Sequence, residues 1–523
     1  MASGKLIGTI VHAGSGRAIP ARLYVTGSDS QRYYPKPSLA HPIKRDLEGH
    51  VITTGQPFEV ELPTGLAHVR IERGPEFHPL AEKVDIPAQG VVEKRFELRR
   101  WVDLADLGWY SGELHVHRRL ADMHTLLLGE DVNVAMPITA WDGRRDPDLE
   151  MFAQHATPGG EVRVDDKHLF TIFNQEYEPA RSPTGAVLLM GMNQIIEGQS
   201  APPLGPLFDI AHERGGFVDM EKHSWAWAPV VAAAGKCDVF ELANNHHWRE
   251  KCLYIDFEVA ARSLKAEYPE TIEGWTLYGF DSYYAYLNCG FRMAPAAGTA
   301  NGVHPNPFGH NRVYVSPLPS GERGGGEGSR RGVATPEPLG AKSWQRALLA
   351  GRSFVTNGPI LFLEAGGEQP GGEIRAAGPT RIAGRLRLQS LTKPERVELV
   401  RGGDVVQSFR SDPNPAADGV YRSDFQFEVP VDDTTYLTAR AFVEPPDRTT
   451  IRFAHTGIIR ITVPPGAPGL RPRRFEVEHF VRRVESMIAE IREGKLRSGD
   501  AGQVLAEYER ALSVYRQLLT KSR

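Results

Sequence analysis

Val239-Phe240-Glu241-Leu242 is a short apolar run that contains one carboxylate, and Asn244-Asn245-His246-His247-Trp248 follows it closely. From about residue 101 onward, similar runs alternate with helical stretches, as at Thr171-Ile172-Phe173 and Val187-Leu188-Leu189-Met190. Apolar runs of this length are typical of strands buried on both faces, and strands alternating with helices indicate an α/β domain with a mostly parallel sheet. Functional side chains of such domains gather where strands end. We therefore expect the chemistry of the chain at residues 101–316.

The regions on either side of this domain are predicted to be β-sandwiches. Residues 1–100 alternate apolar and polar side chains with a period of two, as at Phe58 and Val60. Residues 340–466 show the same alternation at Phe425 and Phe427. This pattern, interrupted by Gly and Pro turns, indicates short strands with one buried face.

Three helical or irregular segments complete the predicted architecture. Residues 317–339 are rich in Gly, Pro and Arg and predict a flexible loop. Residues 467–523 contain two amphipathic stretches separated by Gly494 and Gly499, which predict a helical hairpin. This hairpin is expected to pack onto the body of the protein or onto a partner subunit in a homodimer. Inside the α/β domain, one face of a predicted helix carries Leu253, Phe257, Ala260 and Leu264.

Composition excludes several classes of protein. The 523 residues carry a formal net charge of -4, so there is no broad basic field for nucleic acid or an anionic membrane. No run of about 18 apolar residues occurs, so no membrane span is expected. The first residues do not resemble a signal peptide. The chain is therefore expected to be cytoplasmic, or secreted or periplasmic if a signal peptide was removed from it.

The clearest local motif is Gly112-Glu113-Leu114-His115-Val116-His117-Arg118. Residues i and i+2 of a strand point to the same side, so His115 and His117 can bind one metal ion together. The isolated motif is explained as readily by two hydrogen-bonded surface histidines. However, acidic or imidazole groups also end other apolar runs, at Glu176, at Glu221 and His223, and at Glu241 and His246. A carboxylate within an apolar run is costly unless it is paired or bound to a cation. The set therefore predicts a site for a divalent metal, either Zn, Mn, Fe or Ni.

Four further residues are candidates for binding a substrate. Arg118 and Lys222 could hold an anionic group or a developing negative charge, although surface salt bridges would explain them equally well. Trp225 and Trp227 flank the His223 segment and could form a platform for a sugar or an aromatic ring. Core packing is an equally good explanation for both tryptophans.

The order of several motifs resembles the CehA/McbA-like metallohydrolases of the PHP (polymerase and histidinol phosphatase) superfamily. The resemblance covers roughly residues 105–365. It implies a distorted (β/α)7 barrel with a metal site at the C-terminal ends of its strands. It also implies hydrolysis of an ester, phosphoester or carbamate by metal-bound hydroxide, and we add a glycoside-type bond to the candidate substrates. The matching segments are GELHVHR at 112–118, NQE at 174–176, FELANN at 240–245, LNCGFR at 287–292, NRVYV at 311–315 and AGRSFVTNGP at 350–359.

By position, the resemblance also implies roles for individual residues. His115 and His117 correspond to the opening ligand pair, and Glu176 corresponds to the bridging carboxylate. His223 corresponds to a histidine from a later strand, and Glu241 to a further acidic ligand or base. His247 and Arg292 complete the candidates for substrate binding.

Two departures from the superfamily pattern reduce the expected number of metal ions. Thr139-Ala140-Trp141-Asp142 stands where the superfamily usually has Thr-Asp-His, and Gly298-Thr299-Ala300-Asn301 stands where it usually has Gly-Thr-Asp. We therefore expect one ion, or two ions if His246 or His304 is recruited as a ligand.

Three functions are compatible with these residues. The first is a metal-dependent hydrolase of a small-molecule or carbohydrate-type substrate, with Glu241, His223 and Arg118 in catalytic roles. The second is a metal-dependent lyase, because both reactions need a cation and a base. The third is a non-catalytic protein that binds carbohydrate or a partner on a ligand-deficient barrel. Its stacking groups would be Trp225, Trp227, Trp248 and Tyr283.

Overall fold

The computed structural model describes residues 2–40, 48–179, 183–199, 201–253, 264, 268–317, 339–464 and 470–523. The protein is a mixed α/β structure with 20% helix and 36% strand. Apart from their end residues, the predicted loop at 317–339 and the predicted helix at 253–264 lie outside the described residues.

The first nine strands form two sheets that share one hydrophobic core. In the strand Phe58–Pro63, Phe58, Val60 and Leu62 are buried while Glu59 and Glu61 are exposed, which is the alternation seen in the sequence. One sheet contains Phe58–Pro63, Ser3–His12 and Val91–Leu98. The other contains Ser38–Ala40, Val51–Thr53, Arg22–Thr26, Gly65–Glu72 and Leu80–Ile86, with Arg32–Tyr33 paired to Arg22–Thr26.

A seven-stranded sheet lies in the central part of the chain. Its strand order is Arg144–Arg145, Ala140–Trp141, Gln175–Tyr177, Val187–Met190, Phe217–Met220, Val239–Ala243 and Ala294–Ala297. Only half of its neighbouring pairs are parallel, so the expected mostly parallel sheet is wrong. The link between Tyr177 and Val187 is too short for the crossover that a parallel pair needs, so these two strands run antiparallel.

A second large sheet runs without interruption from the central region into the C-terminal region. Arg312–Val315 pairs with Ser353–Thr356, which pairs in turn with Arg452–Thr456. The predicted boundary between an α/β domain and a separate C-terminal sandwich is therefore bridged by backbone hydrogen bonds. The strand order is Glu161–Arg163, Leu169–Thr171, Val134–Pro137, Tyr110–Val116, Arg312–Val315, Ser353–Thr356, Arg452–Thr456, Thr435–Val443, Pro394–Arg401 and Asp404–Phe409, with Ile459–Thr462 and Glu373–Arg375 attached beside this path.

The C-terminal end of this sheet packs on a three-stranded sheet of Ile360–Ala365, Thr380–Ser390 and Tyr421–Val431. At its other end, the long sheet meets the seven-stranded sheet in two places. The strand Val134–Pro137 leads almost directly into Ala140–Trp141, and Val116 forms a parallel bridge with Asn301. These two junctions bring the end of the His115 strand beside the strands that carry Glu176 and Glu241.

Eight α-helices and one 3-10 helix are described. The most central is Ile272–Asn288, which is buried on nearly every side and whose Trp275 is 0% exposed. The 3-10 helix is Leu120–Asp122, and the other α-helices are Met123–Glu130, Leu149–Ala153, Gly205–Glu213, Ala228–Ala233, Ala341–Leu349, Arg474–Arg492 and Ala501–Leu519. Among the helices of the described residues, none has the length and apolar character needed to span a membrane.

The last two helices form the predicted hairpin, and this hairpin packs onto the body of the same chain. The ring of Phe480 stacks on Tyr286 at 4.4 Å between centroids. The hydroxyl of Tyr515 donates a hydrogen bond to the carbonyl oxygen of Pro229 at 2.7 Å. The apolar stripe of the hairpin is therefore covered within one subunit.

Glu507 of the hairpin caps the helix Gly205–Glu213. Its buried carboxylate accepts hydrogen bonds from the backbone N–H groups of Leu204 at 2.9 Å and Gly205 at 2.7 Å.

We expect Glu507→Ala to lower the free energy of unfolding by about 1–3 kcal/mol, because two buried donors lose their acceptor. Urea denaturation measures this. The matched control is Glu509→Ala, which removes only an exposed partner of Arg492 and is expected to cost under about 0.5 kcal/mol. Equal losses in the two variants would contradict the capping role.

Candidate metal centre

His115 and His117 direct their imidazoles to the same point at the end of the strand Tyr110–Val116. Their Nε2 atoms are 3.1 Å apart, and the His115 side chain is 1% exposed. The backbone is fixed here, since the N–H of His117 donates to the carbonyl oxygen of Asn301 at 2.7 Å. The alternation of side chains along a strand thus places both rings on one face, as the sequence predicted.

Glu176 completes a group of three possible ligands. Its Oε2 atom is 3.0 Å from Nε2 of His117 and 3.8 Å from Nε2 of His115. The three ligand atoms are 3.0 to 3.8 Å apart, which is close to the spacing of roughly 3.3 Å between ligands of one tetrahedral zinc ion. This buried group could therefore hold a metal ion.

Two more carboxylates lie behind His115. Its Nδ1 atom is 3.2 Å from Oε2 of Glu221 and 3.8 Å from Oε2 of Glu241. A proton on Nδ1 that faces a carboxylate leaves the lone pair of Nε2 for a cation, which is the usual arrangement around a metal-binding histidine. From the segment that ends with Glu221 and His223, the sequence favoured His223 as the ligand. The signal for Glu221 was its position two residues after Asp219, on the same side of the strand end.

The ligand atoms fit a cation because buried carboxyl groups crowd the site without enough hydrogen-bond donors to satisfy them. Both oxygens of Glu241 and both oxygens of Asp219 have no hydrogen-bond partner among the described residues. Burial raises the pKa of Glu241 to about 7 and raises that of Asp219 well above its usual range. Burial alone would lower the pKa of His115, but Glu176 and Glu241 raise it well above its usual value. A divalent ion would compensate these carboxylates.

Glu221 offers a test of how the site is oriented. We expect Glu221→Gln to weaken the binding of a divalent ion by about 10–100-fold, because partners that orient a ligating histidine contribute this much. Titration with zinc against a competing chelator measures the affinity. The matched control is Glu197→Gln, which alters an exposed carboxylate paired with Arg145 and leaves affinity unchanged. Wild-type affinity in Glu221→Gln would contradict the assignment.

Glu113 and Gly298 position this centre without belonging to it. Glu113 lies two residues before His115, and its buried carboxylate accepts hydrogen bonds from the backbone N–H groups of Thr299, at 2.7 Å, and of Gly309. It thereby ties the loop after Ala294–Ala297 to the His115 strand. At Gly298, an added Cβ would collide with Cβ of His115 and Oε1 of Glu241, so only glycine fits. Glu113 could have been predicted from its position two residues before His115, whereas the role of Gly298 depends on the pairing of distant segments.

His304 was predicted as a ligand, and its hydrogen bonding opposes that role. The indole N–H of Trp248 donates to Nδ1 of His304 at 3.2 Å. A neutral imidazole that accepts at Nδ1 carries its proton on Nε2, so that nitrogen donates and has no lone pair for a metal. Burial also lowers the pKa of His304 to about 3, which keeps the ring neutral.

His223 and His246 also lie outside the group of three ligands. The ring of His246 stacks on Trp275, and the centroid of the His246 ring is 6.0 Å from the centroid of the His304 ring. His223 packs against Trp275 and Tyr278, with ring centroids at 4.4 and 5.3 Å. Burial lowers the pKa of both histidines well below the usual range, so both are neutral rings packed against the helix Ile272–Asn288.

Among the remaining candidates, Lys222 and Trp225 lie at the centre. Nζ of Lys222 is 3.2 Å from Oε1 of Glu221 and 4.4 Å from the ring of Trp225. The indole N–H of Trp225 donates to the same carboxylate. These two side chains border Glu221, and Glu221 in turn contacts His115.

Four predicted residues are placed elsewhere. Arg118 follows His117 and so points to the other side, where Nε pairs with Asp122 at 2.9 Å. Arg292 precedes the strand Ala294–Ala297, so it lies at the opposite end from Gly298 and His115. Trp227 and His247 are both 1% exposed and belong to the core, where they bond to the carbonyl oxygen of Ala186 and to Oγ1 of Thr276, respectively.

Comparison with known proteins identifies no relative of this chain, since no protein-family model, no curated protein and no solved structure matches it.

Proposed function

We propose that this protein is a metal-dependent hydrolase related to the CehA/McbA-like branch of the PHP superfamily. The observation that carries the proposal is the buried group of His115, His117 and Glu176, beside which both oxygens of Glu241 lack a hydrogen bond among the described residues. Buried acids without partners are costly in a structural core and common in sites that bind a cation. We propose Zn, Mn, Fe or Ni as the metal, because each of these ions accepts imidazole and carboxylate ligands.

The fold supports the same proposal. If Val134–Pro137 and Ala140–Trp141 are counted as one interrupted strand, seven strands follow one another around the site. The bridge between Val116 and Asn301 lies where the first and last of them meet. We infer that this arrangement is a distorted (β/α)7 barrel, in which Val187–Met190 runs antiparallel to both neighbours and the candidate ligands lie at the C-terminal ends of the other strands. The seven are Tyr110–Val116, Val134–Trp141, Gln175–Tyr177, Val187–Met190, Phe217–Met220, Val239–Ala243 and Ala294–Ala297.

Each polar group at the centre has a role that follows from its contacts. A divalent cation held by His115, His117 and Glu176 would supply Lewis-acid polarisation and lower the pKa of water toward about 7. Oε2 of Glu221 lies 3.2 Å from Nδ1 of His115 and would orient that ring so that Nε2 faces the cation. Glu241 has free lone pairs beside the same ring and would accept a proton during the reaction. Lys222 would bind a negative group of the substrate. His304 would donate a hydrogen bond from Nε2 to the substrate.

The alternative function as a carbohydrate-binding protein has little of its stacking surface. Of its four proposed stacking groups, Trp227, Trp248 and Tyr283 are 1%, 6% and 0% exposed, so a sugar ring cannot reach their faces. Trp225 is partly exposed, and Nζ of Lys222 lies 4.4 Å from the centre of its ring. The burial of the other three groups favours the enzyme over the binding protein.

Metal content and product analysis test the proposed function together. The purified full chain is loaded with Zn, Mn, Fe or Ni and analysed by elemental mass spectrometry. It is then assayed on esters, phosphoesters, carbamates and glycosides in heavy-oxygen water. We expect about one tightly bound ion per chain and incorporation of one heavy oxygen into a product. A chain that takes up no ion refutes the proposal, and turnover without label replaces hydrolysis with the lyase reaction.

A further inference from the structure

A second polar cavity lies away from the candidate metal centre, where three parts of the chain meet. Its volume is about 250 Å³, below the roughly 300–1,000 Å³ of sites for drug-sized ligands. The N-terminal sandwich contributes Glu72 and Phe77 to its lining, the central region contributes His310 and Arg312, and the C-terminal region contributes Asn357 and Arg452.

The positive and negative groups of this cavity are separated. On one side, Arg22 pairs with Glu72 at 2.7 Å and with Glu130 at 2.8 Å, and Arg249 pairs with Glu72 at 2.7 Å. Arg249 also lies 3.4 Å from Glu48 and contacts Glu250. The carboxylates of the region are therefore engaged with Arg22 and Arg249.

On the other side, two buried guanidinium groups have only neutral partners among the described residues. Arg452 is 8% exposed and donates to the carbonyl oxygens of Ile451, at 3.1 Å, and Arg249. Arg312 is 1% exposed, and its three hydrogen bonds all go to backbone carbonyl oxygens, those of Gly309, Asp131 and Glu130. Guanidinium stays charged in proteins, and neither group forms an ion pair among the described residues, although Glu130 is near enough for Arg312 to lower the pKa of its carboxyl.

The positive charges around the cavity act on His310. Burial first, and then the positive charges of Arg452, Arg249, Arg22 and Arg312, lower its pKa well below the usual value. Its Nε2 atom is shielded from solvent and has no hydrogen-bond partner among the described residues. A neutral imidazole whose Nε2 has no hydrogen-bond partner among the described residues can donate to an anion, and it gives the four arginines no negative charge.

We propose that this cavity binds a small oxyanion, a phosphate or carboxylate group, between Arg452 and His310. Arg452 would supply charge-assisted hydrogen bonds, His310 a further one, and Arg312 a nearby positive charge. The cavity joins the N-terminal, central and C-terminal regions, so a bound oxyanion would also hold these regions together. The proposal does not depend on the metal centre, because the two sites share no residue.

Calorimetric titration of the full chain with inorganic phosphate and, separately, with succinate tests this proposal at constant ionic strength. We expect a dissociation constant below about 1 mM for at least one of them, and a loss of at least tenfold in Arg452→Met and in His310→Gln. Tighter phosphate binding identifies a phosphate ligand, and tighter succinate binding identifies a carboxylate ligand.

Two control variants separate this cavity from other anion sites. Arg375→Met removes the charge of an arginine whose side chain is 82% exposed, and it should bind like wild type. His115→Ala should also bind like wild type, whereas an anion held by the metal centre would be lost there. Circular dichroism establishes folding, and His310→Gln carries the test alone if Arg452→Met does not fold. The proposal is overturned if the wild type binds neither anion, or if the folded cavity variants bind it as tightly as the wild type does.

Discussion

His115→Ala/His117→Ala is expected to lose its divalent metal and its hydrolytic activity together. The two Nε2 atoms lie 3.1 Å apart and both approach Glu176, so the double substitution removes two of the three converging ligand atoms. Loss of an outer partner of a ligand costs about 10–100-fold in affinity, so loss of two ligands should exceed 100-fold. Elemental mass spectrometry measures the metal, and the substrate panel measures turnover.

The same variant has a readout that does not require a substrate. A chelator should lower the melting temperature of the wild type, because bound metal stabilises the folded state by mass action. It should leave the melting temperature of the double variant unchanged. The matched control is His124→Ala/His155→Ala, which removes two exposed histidines and should keep the metal. Full metal content in His115→Ala/His117→Ala would refute the site.

Arg22→Met is expected to cost about 3–5 kcal/mol of the free energy of unfolding, measured by urea denaturation. Arg22 is buried and lies between Glu72 and Glu130, so its removal takes away the ion pair of the buried Glu130 carboxylate. Glu72 keeps its contact with Arg249 at 2.7 Å. The ion pair between Arg22 and Glu130 thus joins the N-terminal sandwich to the end of the helix Met123–Glu130.

Two further variants show whether this loss of stability arises from the Glu130 carboxylate left without Arg22. Adding Glu130→Gln to Arg22→Met should recover part of the loss, because the neutral amide needs no counter-charge. Lys5→Met, which breaks an exposed pair with Glu59 in the same sandwich, should cost no more than about 1 kcal/mol. A loss below about 1.5 kcal/mol in Arg22→Met would show that this buried pair contributes little.

Local periodicity predicted those parts of the site that depend on one strand. His115 and His117 are two residues apart, and a strand puts such residues on one face whatever else surrounds it. The acidic ends of other apolar runs indicated Glu176, which belongs to the group that could hold a metal ion, and Glu241, which lies 3.8 Å from His115. The helical hairpin was predictable for the same reason, because its apolar stripe needs only the helical period.

Features that depend on pairing between distant segments were beyond this reasoning. The choice between Glu221 and His223 turns on which side of a strand end faces His115, and the ring of His223 packs on Trp275 instead. His304 lies near the site, but its hydrogen bond from Trp248 decides its tautomer. Arg292 belongs to a motif of the resemblance, yet its position before a strand places it at the wrong end.

The unbroken ladder through Arg312–Val315, Ser353–Thr356 and Arg452–Thr456 makes the chain indivisible at residue 340. A cut there would separate the first of these strands from the other two and expose a sheet edge on each fragment. Unpaired edges of this kind promote association with other chains. The central and C-terminal regions should therefore melt in a single transition, and either fragment expressed alone should aggregate.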